Sequence, residues 1–290
     1  MQNYQKTIFG NFVQWILFFV SHIIYTMRMV KGSFAKCIYR EQALNARKGR
    51  RENLTAVKGI SGVYWDRGGR PVNEDSLTLQ QVMTARGRVW MMAVSDGIGG
   101  LSQGEIASGY ILEKLVENFY AQMVSLVARG KGQKPLEKSL LRCFYSMNGE
   151  LRRYASGKGI SLGATVSLLF VWERRYLVFH LGDSRIYLCR RGKRKLLTGD
   201  HSDGGHGIFR CMGSFPFQYP DIRCGRIYGK CGFLLCTDGF YRTLDGEDLG
   251  ILSPGEVESG EQAEKRLRAL GALARKRGEQ DNLSAVYAIV

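Results

Sequence analysis

Two short stretches of the sequence each place an aspartate and a glycine directly after an apolar run. Asp96 and Gly97 follow RVWMMAVS, and Asp238 and Gly239 follow FLLCT. A glycine after the carboxylate lets the backbone turn and exposes a carbonyl oxygen. Carboxylate and carbonyl oxygens are the ligands that hard divalent cations such as Mg²⁺ and Mn²⁺ prefer. The two stretches therefore predict a metal site at the ends of buried strands.

Other acidic residues could join these two aspartates. Asp281 comes just before the apolar run NLSAVYAIV, and Glu74 and Asp75 lie together in RPVNEDSL. An aspartate followed by glycine is also a common turn signal, so a single such pair would carry little weight. The metal prediction therefore rests on the whole set of carboxylates, which strand ends would bring together from distant parts of the chain.

The elements that must position these residues are short strands and longer helices. Helical periodicity spans residues 104–128, 136–155 and 260–278. The strand-like runs come in consecutive pairs that are typical of hairpins, and the strand–helix–strand alternation of a parallel sheet is missing. The sequence predicts an α+β fold, with antiparallel sheets and helices grouped against them, as one domain over residues 55–290.

Composition limits the possible classes of protein. The 290-residue chain has 44% apolar residues, a formal net charge of +16 and seven cysteines. The apolar content is enough for a sizeable core and argues against global disorder. The cysteines show no CxxC pair, which favours reduced thiols over disulfides or a zinc knuckle. A nucleic-acid-binding function ranks last, because no recognition motif accompanies the basic charge.

Residues 1–54 differ from the rest of the chain. Residues 8–30 are apolar over a length that could span a bilayer as a helix, and a basic stretch follows over 28–51. Three alternatives stay open: a spanning helix, a helix in the membrane interface, and a helix that covers an apolar patch of the main domain. We expect membrane association, with residues 55–290 attached to the cytoplasmic membrane on its cytoplasmic side.

Six ordered blocks carry a family resemblance: GGRPVNEDSL, VSDGIGG, LGATVSLLF, HLGDSRIYLCRRGKRKLLTGDHS, FLLCTDGF and RGEQDNLSAVY. They resemble the bacterial branch of the protein phosphatase 2C family, the metal-dependent Ser/Thr phosphatases, over roughly residues 60–290. The resemblance implies two stacked antiparallel β-sheets flanked by helices. The apolar N-terminal helix would be an addition to that fold.

The resemblance also implies a two-metal site that holds Mn²⁺ or Mg²⁺. Asp96 would bridge the two ions, and the carbonyl of Gly97 would bind one of them. Asp238 and Asp281 would complete the coordination of the other. A water between the two ions would be acidified and would attack phosphorus in line, without a covalent phospho-enzyme.

Three further residues have roles by resemblance. Glu74 and Asp75 would act beside the site, through waters or hydrogen bonds. Arg70 stands four residues before Glu74, where the family has an arginine that grips phosphate. A planar guanidinium suits bidentate contact with a phosphoryl group, so Arg70 is the expected substrate-binding residue.

The sequence departs from the family pattern at several points. Ile98 takes the place of the histidine that animal members have, and no Asp or Glu lies between Glu150 and the GAT block. The second departure argues against a third metal ion. The flap that bacterial relatives carry after GDHS is almost deleted. We interpret Asp183 as ordering a turn, Arg185 as an internal ion-pair partner and His201 as structural.

The sequence therefore favours an enzyme that hydrolyses phosphoserine and phosphothreonine in proteins, the substrates of a bacterial-type Ser/Thr kinase. The alternative is a phosphatase-like regulatory or phosphoprotein-binding module with weak turnover. All core metal positions are present, which favours the enzyme. No nucleic-acid partner is expected.

Overall fold

The computed structural model describes most of the chain, namely residues 25–26, 41–43, 59–98, 101, 103–190, 193–203 and 207–290. The domain boundary predicted after residue 54 and nearly all of the apolar segment 8–30 lie outside these residues. Tyr25–Thr26 are the exception, because they form a short strand and not part of a helix. Within the described ranges, no helix is long and apolar enough to cross a membrane.

The larger of two sheets contains seven strands: β1 (Tyr25–Thr26), β2 (Glu41–Ala43), β4 (Asp75–Thr84), β5 (Gly87–Asp96), β6 (Val166–Trp172), β7 (Arg175–Leu181) and β10 (Asp221–Arg226). Their order is β1-β4-β5-β6-β7-β10, and β2 also pairs with β4. All of these pairings are antiparallel except that of β2 with β4, which is parallel. The predicted antiparallel sheet is therefore confirmed, with one parallel edge pairing that the sequence did not reveal.

The second sheet contains five strands: β3 (Ile60–Asp66), β8 (Arg185–Arg190), β9 (Lys193–Leu196), β11 (Gly232–Cys236) and β12 (Leu283–Ile289). Their order is β3-β12-β11-β8-β9, and every pair is antiparallel. The edges of this sheet are β3 and β9.

The described residues form five α-helices, and all but one, a helix of four residues, fall where the periodicity predicts them. They are α1 (Gly104–Asn118), α2 (Val124–Ala128), α3 (Gln133–Lys158), α4 (Asp238–Tyr241) and α5 (Gly260–Lys276). A π-helical turn, Phe119–Met123, joins α1 to α2, and a 3₁₀ turn, Asp248–Leu252, lies before α5. The predicted span 104–128 is therefore two helices separated by a π-turn.

Three apolar cores give the molecule four layers. The first core, with Phe119 and Phe144, lies between the helices α1–α3 and the seven-stranded sheet. The second, with Trp90 and Phe233, lies between the two sheets. The third, with Leu267, lies between the five-stranded sheet and α5. The predicted helix–sheet–sheet–helix sandwich is thus confirmed.

Strand β5 shows why its sequence is apolar without alternation. Met91 and Ala93 face the helix-side core, whereas Trp90, Met92 and Val94 face the core between the sheets. Because both faces of the strand are covered, both sets of side chains must be apolar. The run RVWMMAV is therefore a central strand that ends at a polar residue only where the sheet ends.

The strand directions give the sandwich two distinct ends. Asp75, at the start of β4, is opposite Asp96, at the end of β5. The C-terminal end of β11 and the start of β12 lie at this same end, since the Thr237 hydroxyl donates to Asp75 Oδ2 at 2.8 Å. We call this the carboxylate end. The opposite end, where Thr84 pairs with Gly87, is the distal end.

Candidate active site

Two of the predicted aspartates face each other across neighbouring strands. Asp75 and Asp96 are directly opposite in the β4–β5 register, at the last pair before the sheet ends. The backbone of Asp96 is held on its other side by Thr165, whose hydroxyl accepts from the Asp96 N–H at 3.0 Å and whose N–H donates to the Asp96 carbonyl at 2.8 Å. The sheet therefore fixes both carboxylates at its open edge.

The glycine after Asp96 is required by close packing. A Cβ on Gly97 would lie 2.6 Å from the backbone of Gly104, the first residue of α1. The Gly97 N–H donates to the Glu74 carbonyl at 3.1 Å. Only a residue without a side chain lets the chain turn here and start the helix against the strand end. The same contact brings Glu74 next to the loop after Asp96.

The third and fourth aspartates meet through their flanking residues. Asp238 begins α4, and a Cβ on the following Gly239 would lie 2.2 Å from the carbonyl of Asn282. Thr237 joins the two segments, because its N–H donates to the Ser284 carbonyl at 3.0 Å. The Asp-Gly of one strand end is therefore pressed directly against the Asp281–Asn282 pair that precedes β12.

The loop that carries Arg70 is positioned by Asn282. The Asn282 amide donates to the carbonyls of Arg67 at 2.7 Å and Val72 at 3.1 Å, and its Oδ1 accepts from the Glu74 N–H at 2.8 Å. Gly68, in a left-handed conformation with φ of 66°, has room for no Cβ, because the carbonyl of Asp281 would be 1.9 Å away. One buried amide thus holds the whole loop against Asp281.

The gathered carboxylates repel one another in a buried setting. Burial, with Asp238 and Asp281 nearby, raises the pKa of Asp75 to about 7. Burial and the neighbouring aspartates raise the pKa of Asp96 well above its usual range, and burial also raises the pKa of Asp238. Burial, with Glu105 nearby, raises the pKa of the Glu74 carboxyl as well. A site of this kind favours a bound cation, because cations remove the repulsion.

Two arginines provide the positive charge in the site. Arg70 Nη2 lies 2.9 Å from Asp281 Oδ2, and its side chain is 53% exposed. Arg242 forms an ion pair with Asp238 and lies 3.8 Å from both Asp281 Oδ2 and Glu279 Oε1. Sequence reasoning identified Arg70 but missed Arg242. Its position four residues after Asp238, one helical turn along, was the available signal.

Asp183 also belongs to this cluster, contrary to its interpretation as a turn residue alone. Burial, with Asp238 nearby, raises the pKa of its carboxyl to about 6. Its Oδ1 is buried and accepts no hydrogen bond from the described part of the chain. A buried carboxylate oxygen without a donor is an unsatisfied acceptor, which a cation or water would satisfy.

Arg185 and His201 have the structural roles that the sequence suggests. Arg185 Nη2 lies 2.7 Å from Asp200 Oδ2, and its guanidinium lies 3.9 Å from the centre of the Tyr241 ring. Nδ1 of His201 accepts from the Gly182 N–H at 3.1 Å. Both side chains brace the turn after β7 and not the carboxylates themselves.

The segment expected to be short is short in the structure. Between His201 and β10, the described residues form only isolated bridges, Ser202 with Ile208 and Met212 with Ala164. No helix or strand of their own covers the carboxylate end there. On this side, residues 207–220 therefore border the opening of the site.

The oxygen ligands of this site suit divalent cations, although they do not converge on a single point. Among the described residues, no three His, Cys, Asp or Glu side chains converge as a metal-binding group. Asp238 and Asp281 are both engaged by guanidinium groups in this structure. Buried, mutually repelling carboxylates with an unsatisfied oxygen are nevertheless the chemistry that Mg²⁺ and Mn²⁺ bind. All seven predicted residues lie in this one site.

A two-sheet sandwich with aspartates gathered at one end is the architecture that the resemblance to metal-dependent phosphatases implies. The family with the description Protein phosphatase 2C matches residues 67–284, and the chain belongs to this family. This match covers the four strand-end aspartates and Arg70.

Individual relatives agree with that membership. The mitochondrial protein phosphatase 1K of Xenopus laevis is 29% identical over 140 residues, which cover 47% of this chain and 34% of the relative. The solved structure of PppA, described as a key regulatory component of T6SS in Pseudomonas aeruginosa, is 25% identical with a TM-score of 0.65, covering 79% of this chain and 96% of that one.

A structure of the catalytic domain of the serine threonine protein phosphatase PstP, in complex with 2 manganese ions, is similar in fold. It is 24% identical, covers 80% of this chain and 98% of that one, and has a TM-score of 0.64. The chain spans about a third of the length of the first curated relatives that it matches.

The repulsion among the carboxylates generates a prediction on stability. Asp96→Asn should raise the Tm of the metal-free protein at pH 7 by roughly 2–4 °C, the shift that about 1 kcal/mol gives in a domain of this size. The gain should vanish as the pH falls through about 4, because Asp96 is then protonated in both the folded and the unfolded state. Thermal unfolding in EDTA measures this effect.

Asp245→Asn, at an exposed aspartate, is the matched control for that substitution. It should leave Tm nearly unchanged at both pH values. A lower Tm for Asp96→Asn at pH 7 would show that the carboxylate is stabilised by its surroundings and that the repulsion is not as described.

Proposed function

We propose that this chain is a metal-dependent protein phosphatase that hydrolyses phosphoserine and phosphothreonine in phosphorylated proteins. The observation that carries the proposal is the meeting of Asp75, Asp96, Asp238 and Asp281 at one end of the sandwich, with Arg70 at the exposed rim. The curated relatives are named protein phosphatases, which supports the same activity.

The residues that would hold two Mn²⁺ or Mg²⁺ ions are those predicted from the sequence. The carboxylates of Asp96, Asp238 and Asp281 and the carbonyl of Gly97 would hold the ions. Glu74 and Asp75 would support them through waters or hydrogen bonds. When bound, the two ions supply an acidified water as the nucleophile. The PstP catalytic domain, which is similar in fold, is in complex with two manganese ions, and this supports two ions here.

Arg70 is the residue that would bind the substrate. Its side chain is half exposed and contacts Asp281 through a single nitrogen, which leaves other N–H donors of the guanidinium for a phosphoryl group. Arg242 would keep its contact with Glu279, whose Oε1 lies 3.8 Å away, when a metal ion takes the place of the guanidinium on Asp238. The two arginines thus have different tasks, one towards the substrate and one towards the carboxylates.

Three buried cysteines are poor candidates for a covalent mechanism. Burial raises the pKa of Cys143 and Cys189 to about 12 and raises the pKa of Cys236 as well. A thiol with a raised pKa carries little thiolate and is a weak nucleophile. This supports direct attack by water at phosphorus.

One observation favours the alternative, a phosphatase-like regulatory or phosphoprotein-binding module. The ion pairs of Arg70 with Asp281 and of Arg242 with Asp238 occupy carboxylates that metal binding needs. If these pairs persist in the presence of Mn²⁺, the chain would bind phosphoproteins with little turnover. Activity with and without Mn²⁺ separates the two functions.

The first functional prediction concerns Asp238. The full chain should release phosphate from phosphoserine and phosphothreonine peptides in Mn²⁺ or Mg²⁺ and lose this activity in EDTA. Asp238→Asn should lower kcat by about 100-fold or more, because one ion loses an anionic ligand. Steady-state assays across a Mn²⁺ titration measure both effects.

Asp245→Asn serves again as the control and should retain full activity. Turnover that is independent of added metal, or an unimpaired Asp238→Asn enzyme, would rule out the assigned metal chemistry. Peptide binding without turnover in the parent chain would support the binding-module alternative.

The second functional prediction concerns Arg70. Arg70→Ala should lower kcat/KM for phosphopeptides by about ten- to a hundredfold, the loss expected for hydrogen bonds to a charged group. The Mn²⁺ concentration for half-maximal activity should not rise, since Arg70 is not a ligand and its removal frees Asp281. The exposed Arg67, in the same loop, gives the matched control Arg67→Ala. A collapse of Mn²⁺ affinity with unchanged KM would contradict the assigned role.

We also propose that the N-terminal segment attaches the protein to the cytoplasmic membrane, with the phosphatase domain in the cytoplasm beside a bacterial-type Ser/Thr kinase. The apolar residues 8–30 and the basic stretch 28–51 together support stable attachment. The six described cysteines are free thiols, in keeping with a reducing compartment.

That attachment predicts that the full chain co-sediments with phosphatidylcholine vesicles. Part of it should stay bound in high salt, because the hydrophobic contribution is not screened as the electrostatic one is. Removal of residues 8–30 should abolish this binding. Equal sedimentation of the shortened and full chains would exclude the segment as the anchor.

A further inference from the structure

The turns at the distal end of the sandwich are basic. They join α2 to α3, β4 to β5, β6 to β7, β8 to β9 and β10 to β11, and they carry or adjoin Arg86, Arg129, Lys131, Arg174, Arg175, Arg190, Lys193, Arg226 and Lys230. The one acidic residue in the described parts of these turns is Glu173, whose Oε1 lies 2.8 Å from Arg86 Nε. We call this surface the basic end.

Two like-charged pairs lie directly across strands within the basic end. Arg175 is opposite Arg226 in the β7–β10 register, and Arg190 is opposite Lys193 in the β8–β9 register. Arg190 Nη2 donates to the Arg226 carbonyl at 3.3 Å, so the two pairs are neighbours. Like charges directly opposite each other are destabilising in a sheet.

These four side chains have no compensating anion in the described part of the chain. None of them forms an ion pair with another described residue. The fold therefore keeps a concentrated positive surface at a cost in stability. An external anionic surface would offset that cost.

An aromatic residue projects from the same surface. Tyr228, in the turn between β10 and β11, is 67% exposed and lies two residues before Lys230. An exposed tyrosine beside lysine has an apolar body and a polar tip, which suits the level of lipid headgroups. The apolar ring of Tyr228 can contact the apolar part of a lipid, whereas a purely polar anion would offer it no such contact.

Strands β1 and β3 both run from the distal end towards the carboxylate end. Strand β1 is antiparallel to β4, so it enters the sheet from the distal side. Strand β3 also begins at this end, where Ile60 is opposite Ile289. The first strand of each sheet in chain order therefore runs away from the basic end.

Three further acidic residues at this end lie at its far edge. Glu258, Glu261 and Glu264 line a groove beside β3, whereas β9 is the opposite edge of the same sheet. A flat anionic surface can therefore meet the β9 and β10 side without meeting these glutamates. Because the positive charge lies on the β9 and β10 side and the glutamates lie beside β3, the domain would meet an anionic surface at a tilt.

We propose that the basic end is a docking surface for an anionic lipid bilayer, which orients the phosphatase domain on the membrane. The proposal deepens the membrane attachment proposed above and rests on it. The ten-residue strand β4 separates the two ends by about 30 Å, so the carboxylate end faces away from the bilayer. The substrates reached are then segments that extend from the membrane into the cytoplasm.

The test uses the full chain and two kinds of vesicle, phosphatidylcholine alone and phosphatidylcholine with phosphatidylglycerol. The variant combines Arg175→Gln, Lys193→Gln and Arg226→Gln. We expect binding to the anionic vesicles to weaken by about ten- to a hundredfold, from the loss of three cations at the surface. Binding to phosphatidylcholine alone should be unchanged, because the N-terminal segment is intact.

The matched control removes three exposed cations of α5, with Lys265→Gln, Arg268→Gln and Lys276→Gln. It has the same net charge as the test variant and should bind anionic vesicles as the parent chain does. Phosphatase activity and Tm are measured on the same samples. A fault in the proposed phosphatase function or in folding would therefore be seen separately from a loss of lipid binding.

Hydrogen exchange on anionic vesicles gives a second readout. Backbone amides of residues 226–231 should exchange more slowly on vesicles than in solution, and those of residues 67–74, at the carboxylate end, should not. Equal weakening by both triple variants would overturn the proposal, because net charge alone would then explain the binding. Unchanged vesicle binding with lost affinity for duplex DNA would assign the surface to nucleic acid and equally overturn it.

Discussion

The contact between the two aspartate-bearing segments, residues 237–239 and 281–282, is the interaction on which the rest of the site depends. Gly239 lies against the Asn282 carbonyl so closely that no side chain would fit, and Thr237 bonds to both Asp75 and Ser284. Hydrogen bonds of this kind offset the repulsion among four acidic groups. Without them, strand ends that carry buried negative charge would separate, since an uncompensated buried charge is costly.

Asn282 extends this arrangement to the substrate side. Its amide has its two donors and its acceptor engaged with the loop of residues 67–74, which carries Arg70 and Glu74. A fully satisfied amide specifies one conformation of that loop. The arginine that we propose for phosphate binding is therefore placed by the residue next to Asp281, a proposed metal ligand, so the positions of the two are coupled.

The sequence predicts the strand ends and their carboxylates well, because the apolar runs and Asp-Gly turns are local signals. It does not predict Thr237, Asn282, Asp183 or Arg242 as members of the site. Thr237 and Asn282 matter through distant partners such as Asp75 and Arg67, and Asp183 matters through burial that only the folded chain creates. Arg242 differs, because its partner Asp238 is one helical turn away and the spacing alone could have revealed it. The parallel pairing of β2 with β4 escapes notice for a similar reason, since a three-residue strand has no periodicity to detect.

The basic character of β9 and β10 has a consequence for the behaviour of the protein in solution. Both are edge strands, of sequence KRKL and DIRCGR, and an edge strand exposes backbone groups that can pair with another molecule. Lysine and arginine side chains along such edges repel a second copy before its strand can align. The same residues that concentrate positive charge at one end therefore protect two open sheet edges from self-association and aggregation.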